Sequence, residues 1–226
     1  GTFAKDTHST ASIAALYGGT TTYIEMVCPN RTEDTLEGYK LWKGMADGNS
    51  ACDYTFHMAV SKFDETTAAQ LREIVADGIA SFKVFLAYKG FFGVEDDELF
   101  ETLTLAKELG VITTAHCENA ELVAQLCDKL LSEGKTGPEW HEPSRPTAVE
   151  AEGTGHFASF LEMTGAAGYV VHLSCEAALK EAVNAKLRGV QLYVESVIPH
   201  FCFDNTYAER PNFEGAKWIM SPPLRE

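Results

Sequence analysis

Short apolar runs and longer amphipathic segments follow one another along the chain. The short runs are rich in β-branched and aromatic residues, which predicts strands. The longer segments carry their apolar residues on one side, which predicts helices. The predicted strands are 20–26, 54–60, 79–88, 111–116, 169–172 and 190–195, with a weak seventh at 216–220. The predicted helices are 8–17, 32–46, 66–77, 95–109, 119–132, 147–163 and 175–188.

This alternation indicates an α/β fold in which crossover helices connect the strands of a parallel sheet. The strands are nearly continuous apolar runs, as a sheet covered on both faces requires. An open doubly wound sheet and a (β/α)₈ barrel both satisfy the pattern. The chain contains neither the G-x-G-x-x-G fingerprint nor a P-loop, which weakens the nucleotide-binding version of the open sheet. The strand count is close to that of a barrel that lacks strands at its ends.

The ends of the chain also affect the interpretation. The chain starts without Met and stops at a Pro-Pro-Leu-Arg-Glu sequence that is typical of the middle of a domain. We therefore expect residues 1–226 to be a single catalytic barrel domain truncated at both ends.

Composition excludes some classes of function. The 226 residues carry a net charge of −15, with 33 acidic and 18 basic side chains. Such a surface repels phosphate backbones, so we expect no nucleic-acid partner. No apolar run approaches the length of a membrane span, so we expect no membrane partner. The six cysteines are scattered without a C-x-x-C pair, which favours free thiols in a reducing, cytoplasmic compartment.

A lysine, Lys83, lies in the middle of the apolar run Ile79–Tyr88. A buried ammonium group is costly unless it is paired or takes part in coordination. Burial also lowers the pKa of a lysine and makes the neutral amine accessible. A neutral amine can take up carbon dioxide to form a carbamate, which is an anionic metal ligand. The alternative is that Lys83 reaches the strand end and pairs with an Asp or Glu, and this segment alone favours that alternative.

Two histidines, His116 and His172, end later apolar runs. In a barrel the active residues lie at the carboxyl ends of strands, and we expect Lys83 at such an end as well. Two imidazoles and a carbamate from three strands would satisfy a divalent metal such as zinc. A single histidine at one such position is more simply a hydrogen-bonded core residue. Three candidate ligands at equivalent positions favour the metal site.

Other polar residues near strand ends are weaker candidates. Glu25 and Glu195 could orient metal ligands through hydrogen bonds, and His57 could line the pocket wall. We interpret each of them as structural rather than ligating. The remaining histidines lie on predicted helices or loops and receive no metal role: His8, His141, His156 and His200.

Five motifs spread over the chain resemble one enzyme family. They are Ser81–Lys89 (SFKVFLAYK), Thr114–Asn119 (TAHCEN), Gly134–His141 (GKTGPEWH), Val171–Ser174 (VHLS) and Met220–Arg225 (MSPPLR). Together they are similar to dihydropyrimidinase, also called D-hydantoinase, a cyclic-amide hydrolase of the amidohydrolase superfamily. The resemblance runs along essentially the whole chain.

The resemblance implies a fold and a metal centre. The fold would be a (β/α)₈ TIM barrel of the metal-dependent hydrolase type, here lacking its first and last strands. The cofactor would be two zinc ions bridged by a carboxylated lysine, which Lys83 matches. His116 and His172 match the two histidine ligands of the second zinc ion. The complete enzyme would be a homotetramer.

The resemblance also implies roles in catalysis and substrate binding. Lys83 and Tyr88 would be catalytic, and Tyr88 would donate a hydrogen bond to the developing oxyanion. The backbone of Ser221 would bind the ring amide of the substrate. Phe85 and Phe92 would pack on the exocyclic group of the substrate.

The implied reaction is the zinc-dependent hydrolysis of dihydropyrimidines or hydantoins to N-carbamoyl amino acids. The family's His-x-His ligands and its general-base Asp have no counterpart in this chain, so we expect the 226 residues to be inactive alone. Two alternatives stay open. One is a cyclic amidase that acts on allantoin or dihydroorotate, and the other is a non-catalytic scaffold protein of the same fold.

Overall fold

The computed structural model of the chain describes residues 5–226, so residues 1–4 of the predicted domain lie outside the described part. The strands are β1 Thr22–Val27, β2 Asp53–Ala59, β3 Ser81–Phe85, β4 Ile112–His116, β5 Gly168–Val170 and β6 Leu192–Val194. The helices are α1 His8–Tyr17, α2 Thr35–Ala46, α3 Glu65–Ala76, α4 Asp96–Leu109, α5 Ala120–Ser132, α6 Thr147–Thr164, α7 Glu176–Leu187 and α8 Ile198–Cys202. The six strands and α1 to α7 all lie within three residues of their predicted bounds.

The order of the strands decides between the two sheets that the sequence left open. All six strands are parallel, and their order in the sheet is the order in the chain. A doubly wound sheet reverses its order at a switch point, whereas a barrel adds each strand beside the preceding one. The chain therefore forms six strands of a (β/α) barrel. Within the described residues, β1 and β6 each have one neighbouring strand.

The prediction of a strand at 216–220 is wrong. Residues Glu214–Trp218 form a 3₁₀ helix. The reason is a local aromatic cluster, in which the ring of Trp218 lies 4.8 Å from that of Phe203 and 4.5 Å from that of Tyr207. Trp218 is half-buried against these two rings, whereas Ile219 is 38% exposed, and the segment does not join the sheet.

The hydrophobic core lies between the sheet and its helices. Phe82 and Val84 of β3 are fully buried in this core together with Leu99 and Leu103 of α4. Successive side chains of a strand point to opposite faces, so Lys83 points to the other face, toward the interior of the barrel. In the part of the chain that the structure describes, no helix is long and apolar enough to cross a membrane.

Helix α6 packs very closely on the loop that follows β4. A Cβ atom at Gly153 would lie 2.7 Å from the carbonyl carbon of Cys117. We expect Gly153→Ala to lower the free energy of unfolding by about 1–3 kcal/mol, because the backbone of the loop must move. Urea denaturation measures the change.

Gly155, on the same helix, provides the matched control. Its added Cβ would come no closer than 3.5 Å to the flexible side chain of Glu181. We expect Gly155→Ala to be neutral or to stabilise by about 0.5–1 kcal/mol, since alanine favours the helix. Equal unfolding free energies for the two variants would contradict the close approach at Gly153.

Candidate active site

Lys83 is the third residue of β3 and does not lie at the end of the strand, which corrects the prediction. The register pairs Lys83 with Thr114 and Phe85 with His116, so Lys83 is two residues below the level of His116. Two residues of a strand span about 6.6 Å, a distance that a lysine side chain can cover. Its Nζ lies 4.8 Å from the centre of the Phe85 ring, close to the level of His116.

Within the described residues, the amine of Lys83 is buried and has no partner. The residue is 1% exposed, and Nζ makes no hydrogen bond within residues 5–226. The expected alternative, an ion pair with an Asp or Glu, is therefore not what the structure shows. Burial lowers the pKa of Lys83 to about 8, although the nearby Cys117, Cys28 and Glu195 oppose the shift. The neutral amine is consequently accessible close to neutral pH.

The two predicted histidines lie side by side at the barrel mouth. His116 is the last residue of β4, and its Nδ1 is 3.1 Å from Nε2 of His172. His172 follows β5 and has a φ of 45°, a left-handed conformation that is uncommon for a residue other than glycine. Burial is the largest cause that lowers the pKa of both imidazoles, so both are neutral at pH 7. Neutral imidazole is the form that binds metals.

These residues fit one metal ion if Lys83 is modified. Two imidazoles that bind one zinc ion through bonds of about 2.0–2.1 Å place their nitrogens about 3.3 Å apart at a tetrahedral angle. The His116–His172 distance of 3.1 Å agrees with this value. Among residues 5–226, no group of three or more His, Cys, Asp or Glu side chains could hold a metal ion. Within residues 5–226, the carbamate of Lys83 is the remaining candidate for a third ligand.

A buried carboxylate, that of Glu118, forms a hydrogen bond with the ring of His116. Sequence reasoning did not identify this residue. Oε2 of Glu118 lies 2.7 Å from Nε2 of His116 and 2.5 Å from Nη1 of Arg145. Glu118 is fully buried, and its bond to Nε2 leaves Nδ1 of His116 free to act as a ligand. The available signal was a carboxylate two residues after a predicted metal ligand.

Among residues 5–226, neither acidic residue that the sequence put forward for this task forms a hydrogen bond to His116 or His172. Glu195 accepts a hydrogen bond from the hydroxyl of Tyr169 at 3.0 Å. Glu25 is half-buried on β1, at the edge of the described sheet. Nδ1 of His57 lies 2.5 Å from the hydroxyl oxygen of Ser81, which agrees with a structural role.

Aromatic side chains form a wall beside the two histidines. The ring centre of Tyr88 is 5.3 Å from that of His116, and the ring of Phe85 is 6.0 Å from His116. Phe92 packs on Phe85 at 5.7 Å. The guanidinium carbon of Arg145 lies 5.5 Å from the centre of the Tyr88 ring. Tyr88 has a φ of 62° and is 37% exposed, so a strained backbone presents an accessible phenol at the mouth.

Ser221 lies apart from this wall and is linked to it through a loop. Its hydroxyl oxygen is 3.4 Å from Nε2 of His141. His141 belongs to the loop between α5 and α6, which also carries Arg145. The loop thus connects the predicted substrate-binding serine with Glu118 and Tyr88.

Comparisons with known proteins show which proteins the chain is similar to. The chain is 39% identical to the D-hydantoinase of Geobacillus stearothermophilus over 227 aligned residues, which covers 100% of the chain and 48% of the relative. It is 35% identical to the dihydropyrimidinase of Rattus norvegicus, over 94% of the chain and 41% of the relative. The solved structure of a D-hydantoinase (dihydropyrimidinase) from Thermus sp. matches 100% of the chain and 49% of its own length, with 74% identity and a TM-score of 0.98.

The chain belongs to the hydantoinase and dihydropyrimidinase family. It spans about half the length of the curated relatives that it matches. No protein-family model matches the chain. The hydantoinase structures that match all of the chain at TM-scores of 0.97 to 0.98 share its six-stranded part of the barrel.

Proposed function

We propose that the protein containing these residues hydrolyses the ring amide bond of small cyclic amides, such as dihydropyrimidines and hydantoins, to N-carbamoyl amino acids. The observation that carries the proposal is the buried, unpartnered amine of Lys83 in the same mouth as the His116–His172 pair. The names of the matched relatives, D-hydantoinase and dihydropyrimidinase, support the reaction class.

The proposed cofactor is zinc. His116, His172 and the carbamate of Lys83 would hold one ion, and the family resemblance implies a second ion that would share the modified lysine. Bound zinc polarises a carbonyl group and lowers the pKa of water near it. Glu118 fixes the ring of His116 through its hydrogen bond to Nε2. A homotetramer in the cytoplasm remains a prediction.

Tyr88 acts on the substrate in this proposal. Its ring centre lies 5.3 Å from that of His116 and the residue is 37% exposed, so its phenol donates to the carbonyl oxygen as negative charge develops there. Arg145 packs on the Tyr88 ring and restrains it. The backbone of Ser221 binds the ring amide, and Phe85 with Phe92 contacts the exocyclic group.

Replacement of Tyr88 by phenylalanine tests the reaction. In the full-length protein, we expect Tyr88→Phe to lower kcat for hydantoin by about 10²–10³-fold, because one donor to the oxyanion is lost, and to leave zinc content unchanged. Steady-state hydrolysis, followed by the loss of ring absorbance, measures the effect. Tyr193→Phe removes a hydroxyl from an exposed tyrosine and should match the parent.

A panel of cyclic amides separates the alternatives. Faster turnover of allantoin or dihydroorotate than of hydantoin and dihydrouracil would replace the proposed substrate class. A zinc-loaded protein that hydrolyses none of the four substrates would support the non-catalytic scaffold and overturn the proposal.

A further inference from the structure

The backbone of Ser221 has an unused donor and an unused acceptor. Within residues 5–226, its N–H and its C=O make no hydrogen bond, although the residue is half-buried. The carbonyl groups on either side of it, those of Met220 and Pro222, are both occupied. Backbone polar groups at such positions usually have a partner, which is either water or a ligand.

Two histidines from separate elements hold the flanking carbonyls. Nε2 of His141 lies 2.7 Å from the carbonyl oxygen of Met220. Nε2 of His200, on α8, lies 3.3 Å from the carbonyl oxygen of Pro222. The segment is therefore fixed once before and once after Ser221.

Burial determines which ring nitrogen donates. It lowers the pKa of His141 and of His200, so each ring carries a single N–H at pH 7. A carbonyl oxygen can only accept, which places that N–H on Nε2 in both rings. Nδ1 of His200 is buried without a partner in the described part of the chain, as expected for the nitrogen that carries no proton.

We propose that His141 and His200 are positioning residues that orient the free N–H and C=O of Ser221 toward the ring amide of the substrate. The ring holds this amide in the cis form, so its N–H and C=O lie side by side and match one donor and one acceptor of a backbone. The inference rests on the proposed function and concerns substrate affinity. Neither histidine contacts the reacting atoms in this proposal.

The test compares His141→Phe, His200→Phe, His141→Gln and His200→Gln in the full-length, zinc-loaded protein. We expect each phenylalanine variant to raise KM for dihydrouracil about 3- to 10-fold, the effect of one hydrogen bond, with kcat and zinc content within about 2-fold of the parent. Glutamine keeps an N–H donor and should restore most of the affinity. His156→Phe is the control, since His156 bonds only to acidic side chains on the outer surface.

A second measurement does not depend on turnover. Hydantoin titrated into the zinc-free protein, followed by NMR, should show the same loss of affinity in the phenylalanine variants. His156→Phe should bind hydantoin like the parent in this titration as well.

Three results would overturn the inference: a fall in kcat at constant KM, glutamine variants as weak as the phenylalanine variants, or a loss of affinity in His156→Phe equal to that in His141→Phe. If the parent hydrolyses no cyclic amide, the proposed function fails. The hydantoin titration then still decides whether the two histidines support a binding site at Ser221.

Discussion

Replacement of Lys83 by methionine is expected to abolish hydrolysis and zinc binding while it stabilises the zinc-free protein. Methionine has nearly the same length as lysine but no amine, so the carbamate that we propose as a metal ligand cannot form. We expect hydantoin turnover to fall at least ~10³-fold, as for the loss of a central catalytic group. The free energy of unfolding should rise by about 1–3 kcal/mol, because a buried polar atom without a partner is removed.

The pH dependence of stability provides a separate readout for Lys83. The unfolded chain keeps the proton of this amine up to about pH 10.5, whereas the folded zinc-free chain loses it at about pH 8. The unfolded state therefore binds more protons between these values, and stability rises with pH in that window. Lys83→Met should remove this rise.

Elemental analysis, hydantoin hydrolysis and urea denaturation of the zinc-free proteins measure the three effects. Lys129→Met is the matched control, because Lys129 is exposed on α5 and should change neither zinc content nor activity. A Lys83→Met protein that is less stable than the parent would show that the amine has a stabilising partner. A protein that retains zinc would remove Lys83 from the metal site.

The double variant His116→Ala, His172→Ala is expected to lose zinc completely. The chain itself should bind about one zinc ion, held by these imidazoles and the modified lysine. The variant retains at most one of the three ligands. We therefore expect its affinity for zinc to fall by far more than the 10–100-fold that is usual when a residue hydrogen-bonded to a ligand is replaced. Zinc per chain, measured by elemental analysis after dialysis, tests this.

The matched control is the double variant His8→Ala, His156→Ala, which removes two histidines with contacts outside the site. It should keep the zinc content of the parent. Equal zinc in both double variants would refute the ligand assignment. Absence of zinc from the parent as well would mean that the carbamate needs ligands from outside residues 5–226, and the same assay on the full-length protein would then decide.

Local pattern was sufficient for most of the fold. The bounds of the strands and of α1 to α7 follow from hydrophobic periodicity. In each element the apolar side chains lie on one face or on both faces. Periodicity failed at 216–220, where Trp218 serves an aromatic cluster with Phe203 and Tyr207. A short apolar run does not state which neighbours its side chains contact or whether they join the sheet.

The sequence also predicts some residues of the candidate site and not others. Lys83, His116 and His172 stand out in the sequence because they are polar residues in or directly after apolar strands. The pair Glu118 and Arg145 does not stand out, since the two residues are 27 positions apart and meet only when the loop between α5 and α6 folds over the mouth.

The sequence by itself determined the elements, the parallel sheet, the three candidate ligands and the family resemblance, since all of these depend on local pattern or on contiguous motifs. The tertiary structure alone decided that the strands follow barrel order, that Lys83 has no carboxylate partner, and that Glu118 holds His116. The physical reason is that order in a sheet, the partner of a buried charge and a hydrogen bond between distant loops are relations across space. They depend on how elements pack, which the period of a single segment does not record.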